Sequence, residues 1–167
     1  MLKTTKASHC SNADKNYYTY ETRFGGITIV SEGDAIVGVW LHNIEIPGGR
    51  RATSVLTDLA ANQLEEYFDG TRRDFDLPIS PVGTDFQMAV WKELLVIPYG
   101  ETRSYKQIAQ NIGKPKSCRA VGMANNRNPI SIVIPCHRVV GSDGSLVGYG
   151  GGLDMKQKLL DLERVCR

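Results

Sequence analysis

The chain has 167 residues, 41% of them hydrophobic and 23% charged, with a formal net charge of +2. This balance is that of a folded globular protein of one domain or two small lobes, and it excludes a disordered chain. No apolar run approaches the roughly 20 residues that cross a bilayer. The polar start Met1-Leu2-Lys3-Thr4-Thr5-Lys6 lacks the apolar stretch of a secretory signal, so the expected location is intracellular, cytoplasmic or, in a eukaryote, nuclear.

Residues 1–16 show no period and read as a loose leader. Tyr17 to Phe24 is rich in β-formers, Gly25-Gly26 reads as a tight turn, and Ile27 to Val30 follows as a second strand. After the turn Glu32-Gly33-Asp34, Ala35 to Leu41 reads as a third. From Thr53 to Phe68, the residues Leu56, Ala60, Leu64 and Phe68 recur on one helical face, and Asp69-Gly70 ends the run. Residues 17–78 are thus expected as an N-terminal α/β lobe, a three-stranded antiparallel sheet carrying a helix. The tract 79–83, near Pro78 and Pro81, is the expected linker.

Residues 84–167 read as mainly helical. Asp85 to Leu95 carries Phe86, Val90, Leu94 and Leu95 at core spacing and stops at Ile97-Pro98-Tyr99-Gly100. Tyr105 to Gly113 reads as a short helix and turn, and Ser117 to Asn125 as a second helix, together a helix-turn-helix candidate. A last helix is expected from Leu153 or Asp154, where a carboxylate suits the positive end of the helix dipole. Its expected buried stripe is Met155, Leu159, Leu162 and Cys166. The fold class is α/β (α+β), a small antiparallel-sheet lobe followed by a mainly helical lobe with a helix-turn-helix. Residues 1–83 carry a net charge of −3 and the remainder +5, so the second lobe is the better surface for a polyanion.

Cys10, Cys118, Cys136 and Cys166 form no CxxC pair and are expected as free thiols in a reducing compartment. Cys136 stands out, in Ile134-Pro135-Cys136-His137-Arg138-Val139-Val140. Taken alone, such a cysteine is a small buried hydrophobe, His137 a core histidine and Glu163 a solvated helix charge. Their surroundings argue otherwise: Asn128-Pro129 lies ahead, and Gly148-Tyr149-Gly150-Gly151-Gly152 lies behind. Thiolate is the nucleophile, so a working cysteine needs a group that takes its proton. His137 is the next residue, although neighbours on a strand point to opposite faces, and Glu163 is a candidate to orient a histidine.

Pro-Cys-His-Arg-Val, with Asn-Pro upstream and Tyr-Gly-Gly-Gly downstream, resembles the O6-alkylguanine-DNA alkyltransferases, the methylated-DNA–protein-cysteine methyltransferases, from about Gly83 to Glu163. The resemblance implies DNA repair by direct damage reversal: irreversible, single-turnover transfer of an alkyl group from O6-alkylguanine, and from O4-alkylthymine, to Cys136. It implies Cys136 as nucleophile, His137 and Glu163 as relay, and Asn128 as the asparagine bracing the turn before the active-site strand. By the same likeness Tyr105, Val139, Tyr149 and Gly150 line the base pocket, the carbonyls of Cys136 and Val139 reading the guanine amine. Ser104, Tyr105, Arg119, Ala120 and Gly122 meet DNA in the minor groove independently of sequence, with Arg119 filling the space left by a flipped base.

Many relatives carry serine where Gly150 stands, and relatives often place an apolar residue at Asn125, against the base. No cofactor is implied, since the cysteine itself accepts the group. Some relatives hold zinc in the first lobe; His9, Cys10 and His42 are too few to close such a site, so no metal is expected. The expected partner is alkylated double-stranded DNA bound by a monomer, with no membrane. Three other readings use some of the same residues. They are a damage-flagging module without transfer, a cysteine hydrolase that turns over, and a helix-turn-helix regulator, which would need a dimer interface that the sequence does not display.

Overall fold

The computed structural model describes residues 15–166. They form two compact units, the first ending at Pro81 and the second beginning at Val82. In the first, strands β1 (Lys15–Thr22), β2 (Gly25–Glu32) and β3 (Ala35–Trp40) form an antiparallel meander. A fourth strand, β4 (Arg50–Arg51), adds to β1 in parallel, giving the order β3-β2-β1-β4 rather than three strands. Two residues are too short a run for strand periodicity to mark them.

Three further boundaries differ from the sequence reading. Lys15 and Asn16 pair with Glu32 and Ser31, so the strand begins inside the expected leader, whose first 14 residues lie outside the described ones. The hairpin turn is Arg23-Phe24, closed by the pair Thr22 and Gly25, and Gly25 at φ 102° opens the second strand. In the tract read as linker and its approach, Ile36 N–H donates to the Pro78 carbonyl and Ser80 N–H to the Ile36 carbonyl, which ties residues 78–80 to β3. Helix α1 (Val55–Phe68) starts at the N-cap Ser54, whose hydroxyl accepts from Thr57 N–H in a capping box. It buries Ala60, Leu64, Tyr67 and Phe68 against the sheet.

The second unit contains α2 (Asp85–Leu94), α3 (Tyr105–Asn111), α4 (Cys118–Asn126) and α5 (Leu153–Val165). Trp91 of α2 is buried and donates Nε1–H to the Ala124 carbonyl of α4 at 2.8 Å. Ile108 and Ala109 of α3 pack into the same core as Val121 and Ala124 of α4, the helix-turn-helix pair. Two short parallel strands, β5 (Arg103–Ser104) and β6 (Val139–Val140), join the start of α3 to the segment just after Cys136.

On α5 the fully buried residues are Lys156, Leu159 and Glu163, spaced i, i+3 and i+7. Of the stripe expected from the sequence only Leu159 is buried; Met155, Leu162 and Cys166 are half-exposed. Helical periodicity is obeyed, but the helix is rotated so that two charged residues face inward. Among the described residues no helix is long and apolar enough to cross a membrane.

Candidate active site

Cys136 opens a single 3-10 turn, Cys136–Arg138, which is buried throughout. The turn is held from three sides. Upstream, Asn128 is a buried brace: its Nδ2 donates to Cys136 Sγ at 3.0 Å and to the Ile134 carbonyl at 2.8 Å, while its Oδ1 accepts from Ile130 N–H at 3.0 Å. Between them Ile132 takes φ 71°, a left-handed conformation that a β-branched side chain rarely adopts. Its amide points at the Cys136 sulfur. Backbone strain of this kind persists where the surrounding structure over-determines it, as at functional sites.

On the second side lies Glu163 of α5. Its Oε1 stands 2.8 Å from His137 Nε2, and both side chains are fully buried. A carboxylate can only accept, so Nε2 carries the proton and Nδ1 holds the lone pair of the neutral ring. Arg138 grips the same carboxylate through Nε at 3.0 Å and Nη2 at 2.9 Å, sends Nη1 to the Ile97 carbonyl at 2.7 Å, and lies over the Tyr99 ring. Gly100 N–H also donates to Oε2 at 3.0 Å. Burial alone would raise the Glu163 pKa. The hydrogen bond and charge of His137, then those of Arg138, outweigh it and bring the value from 4.5 down to about 2. Burial lowers the His137 pKa against the pull of Glu163, so the imidazole is held neutral.

The third side is the glycine-rich segment and Lys156. Lys156 Nζ donates to the Val139 carbonyl at 2.5 Å and the Val147 carbonyl at 2.9 Å. It lies 5.8 Å from the Tyr105 ring centre. Burial lowers its pKa to about 8, opposed by negative charge at Cys136. The Tyr105 hydroxyl donates to the Val147 carbonyl at 2.8 Å; burial, then charge on Cys136, pushes its pKa up to about 12. The Tyr149 hydroxyl sits at the Cys136 thiol, its pKa raised first by burial and then by that sulfur. For Cys136 itself burial pushes the thiol up, while the Asn128 amide, the Lys156 ammonium and the backbone amides of Cys136 and Ile132 pull it down.

Cys136, His137, Glu163, Asn128, Tyr105, Val139 and Tyr149 therefore gather in one place. Gly150 belongs to the segment beside them; a Cβ built there would lie 3.5 Å from the Asn126 carbonyl, an ordinary contact, so sterics do not demand glycine. Gly148, at φ 54° and with a Cβ that would approach the Tyr105 hydroxyl at 3.7 Å, is where backbone freedom is required. Ser104 is the N-cap of α3, accepting from Gln107 N–H at 3.2 Å. On α4, Arg119 and Ala120 are exposed along with Met123 and Asn126, while Gly122 packs under the Tyr105 ring. Two charged residues of the site went unread in the sequence: Lys156, and Arg138 beyond its place in the motif. The available signal was position, since Lys156 and Glu163 sit seven residues apart on one face. Among the described residues no group of three His, Cys, Asp or Glu side chains is gathered to hold a metal; His9 and Cys10 lie outside them.

Comparison with known proteins decides the lineage. Residues 85–165 match the 6-O-methylguanine DNA methyltransferase DNA binding domain, and residues 16–81 match the ribonuclease-like domain of the same proteins. The chain belongs to the 6-O-methylguanine DNA methyltransferase family. Within the family it is 61% identical over 120 residues to the methylated-DNA–protein-cysteine methyltransferase of Methanosarcina barkeri, covering 72% of this chain and 76% of that protein. It is 46% identical over 154 residues to the Methanosarcina acetivorans protein of the same name, covering 90% and 99%. The crystal structure of the Mycobacterium tuberculosis O6-methylguanine methyltransferase superposes with a TM-score of 0.84 at 43% identity, over 92% of this chain and 94% of that one. The mycobacterial OGT in complex with DNA gives 0.85 at 43% identity, over 90% and 94%.

Proposed function

We propose that this methyltransferase-family chain repairs DNA by direct reversal, moving an alkyl group from O6 of guanine, and from O4 of thymine, onto Cys136 Sγ once per molecule. The observation that carries this reading is the buried thiol with the Asn128 amide on its sulfur and a neutral, carboxylate-anchored histidine next in the same turn. His137 Nδ1 takes the thiol proton, directly or through one water, and Glu163 stabilises the imidazolium. The Sγ lone pair then forms an S–C bond as the C–O6 bond breaks. The electron pair returns to the base, which leaves as guanine or thymine after taking a proton from water, while the imidazolium returns its own to solvent. A thioether is not labile as an acyl-enzyme is, so the reaction ends there.

The stacked base must first leave the duplex, at a cost of a few kcal/mol. Exposed Arg119 fills the gap, with Ala120 and Gly122 allowing α4 to lie close in the minor groove, where contacts distinguish bases poorly and recognition is independent of sequence. Ser104 and Tyr105 meet the backbone beside the lesion, and Tyr105 also reaches the base. Val139, Tyr149 and Gly150 line the pocket. The chain acts as a monomer inside the cell, and each lobe has its own part: residues 17–78 the supporting lobe, 84–167 the reactive one. The test is a duplex bearing one O6-methylguanine with a labelled methyl group. Label in the protein should saturate at one per chain and vanish in Cys136→Ser. Label released to solvent, or more than one turnover, would overturn the proposal.

A further inference from the structure

Asn125 is buried, 2% exposed, at the inner face of α4. Its Nδ2 donates to the carbonyl of Cys136 at 3.1 Å. That bond fixes the orientation of the amide, because the reverse would set oxygen against oxygen. Oδ1 is therefore the other end, and it is buried with no hydrogen-bond partner. The same amide also hydrogen-bonds the Tyr105 hydroxyl, and because that contact lowers the tyrosine pKa it is the N–H side that makes it. That hydroxyl has one proton and gives it to the Val147 carbonyl at 2.8 Å, so it does not serve Oδ1. A buried acceptor without a donor is costly, and each such atom in a native structure calls for an explanation. The amide that carries it reaches both the nucleophile's own carbonyl and the Tyr105 hydroxyl, so the bare acceptor belongs to the site around Cys136.

The substrate supplies the missing donor. An O6-alkylated guanine has lost the proton on N1, so its exocyclic amine is the only hydrogen-bond donor left on the base. An O4-alkylated thymine has lost its N3 proton in the same way and has no amine, so it offers none. We propose that Asn125 is a specificity-determining residue, its Oδ1 accepting a hydrogen bond from the exocyclic amine of the flipped base and so favouring alkylguanine over alkylated bases without that amine. This rests on the alkyl-transfer reading. A site built to bond a substrate N–H discriminates against the analogue lacking it. A satisfied buried acceptor corresponds to roughly a tenfold preference.

The test compares single-turnover methylation of Cys136 by duplexes carrying O6-methylguanine or O6-methylhypoxanthine, which differ only in the amine. The native chain should react roughly tenfold faster with methylguanine, and Asn125→Leu should bring the ratio close to one. Asn125→Ala serves if leucine does not fit. Each ratio is internal to one protein, so a reduced folded fraction cancels. A native ratio near one overturns the proposal, as does a preference that survives in the variant, which would leave the backbone carbonyls to read the amine. Methylation of Cys136 by neither duplex would sink the transferase reading, and this proposal with it.

Discussion

Replacing Glu163 by glutamine tests the buried hub directly. Its carboxylate accepts from His137, Arg138 and the Gly100 amide, and its pKa falls from 4.5 to about 2. That separation of about 2.5 pH units, at about 1.4 kcal/mol each, amounts to about 3 kcal/mol. Because the folded value is depressed, this stability is fully present above pH 4.5 and is lost as pH falls toward 2, with about half gone near pH 3. The figure agrees with the roughly 3–5 kcal/mol lost when one partner of a buried pair is removed. Urea unfolding followed through buried Trp91, in a Trp40→Phe background, reads the second unit. Glu163→Gln should be about 3 kcal/mol less stable than Glu163 at pH 7, and the gap should close by about half at pH 3. A gap that stays constant from pH 7 to 3 would refute the assignment of the depressed pKa to this network.

Other substitutions separate the parts of the site. Asn128→Ala removes the donor to Sγ and the brace on Ile134, and transfer should slow by roughly 100-fold with Cys136 still accessible to a thiol reagent in denaturant; an unchanged rate would dismiss the brace. Lys156→Met removes the ammonium that pulls the thiol pKa down, so transfer should be roughly tenfold slower at pH 7 and its rate–pH curve displaced upward. Superimposable curves would count against that role. Arg119→Ala changes an exposed side chain and should leave the melting temperature in place. It should slow transfer from duplex DNA by roughly 100-fold while sparing transfer from the free O6-alkylguanine base, since only the duplex requires unstacking. Equal loss on both substrates would contradict it.

The elements that a period or a cap can mark were legible in the sequence. Leu56, Ala60, Leu64 and Phe68 announced α1, and Gly113 and the glycine run bracketed α3 and α5. The two-residue strands Arg50–Arg51 and Arg103–Ser104 were not, because a strand that short has no alternation and exists only through its partner. The inward turn of α5 was hidden for a related reason. Lysine and glutamate read as solvated until the structure shows what meets them, and here Lys156 meets two carbonyls while Glu163 meets a histidine and an arginine. Cys136 stood out from the reactive and turn-forming residues around it, while the roles of His137 and Asn128 came from the resemblance of that string to the family's. That the Asn128 amide reaches the sulfur, and that Asn125 keeps a bare acceptor beside it, depends on how the turn at Ile132 folds back.

A single alkyl transfer to Cys136 leaves a permanent mass change that intact-protein mass spectrometry reads. The chain is incubated with excess duplex carrying one O6-methylguanine, weighed, and mapped by peptide. A stoichiometric gain of about one methylene mass is expected on the peptide containing Cys136, with no further reaction, as an irreversible thioether requires. An unmodified chain that still binds the duplex, or repaired DNA in excess of protein, would contradict it.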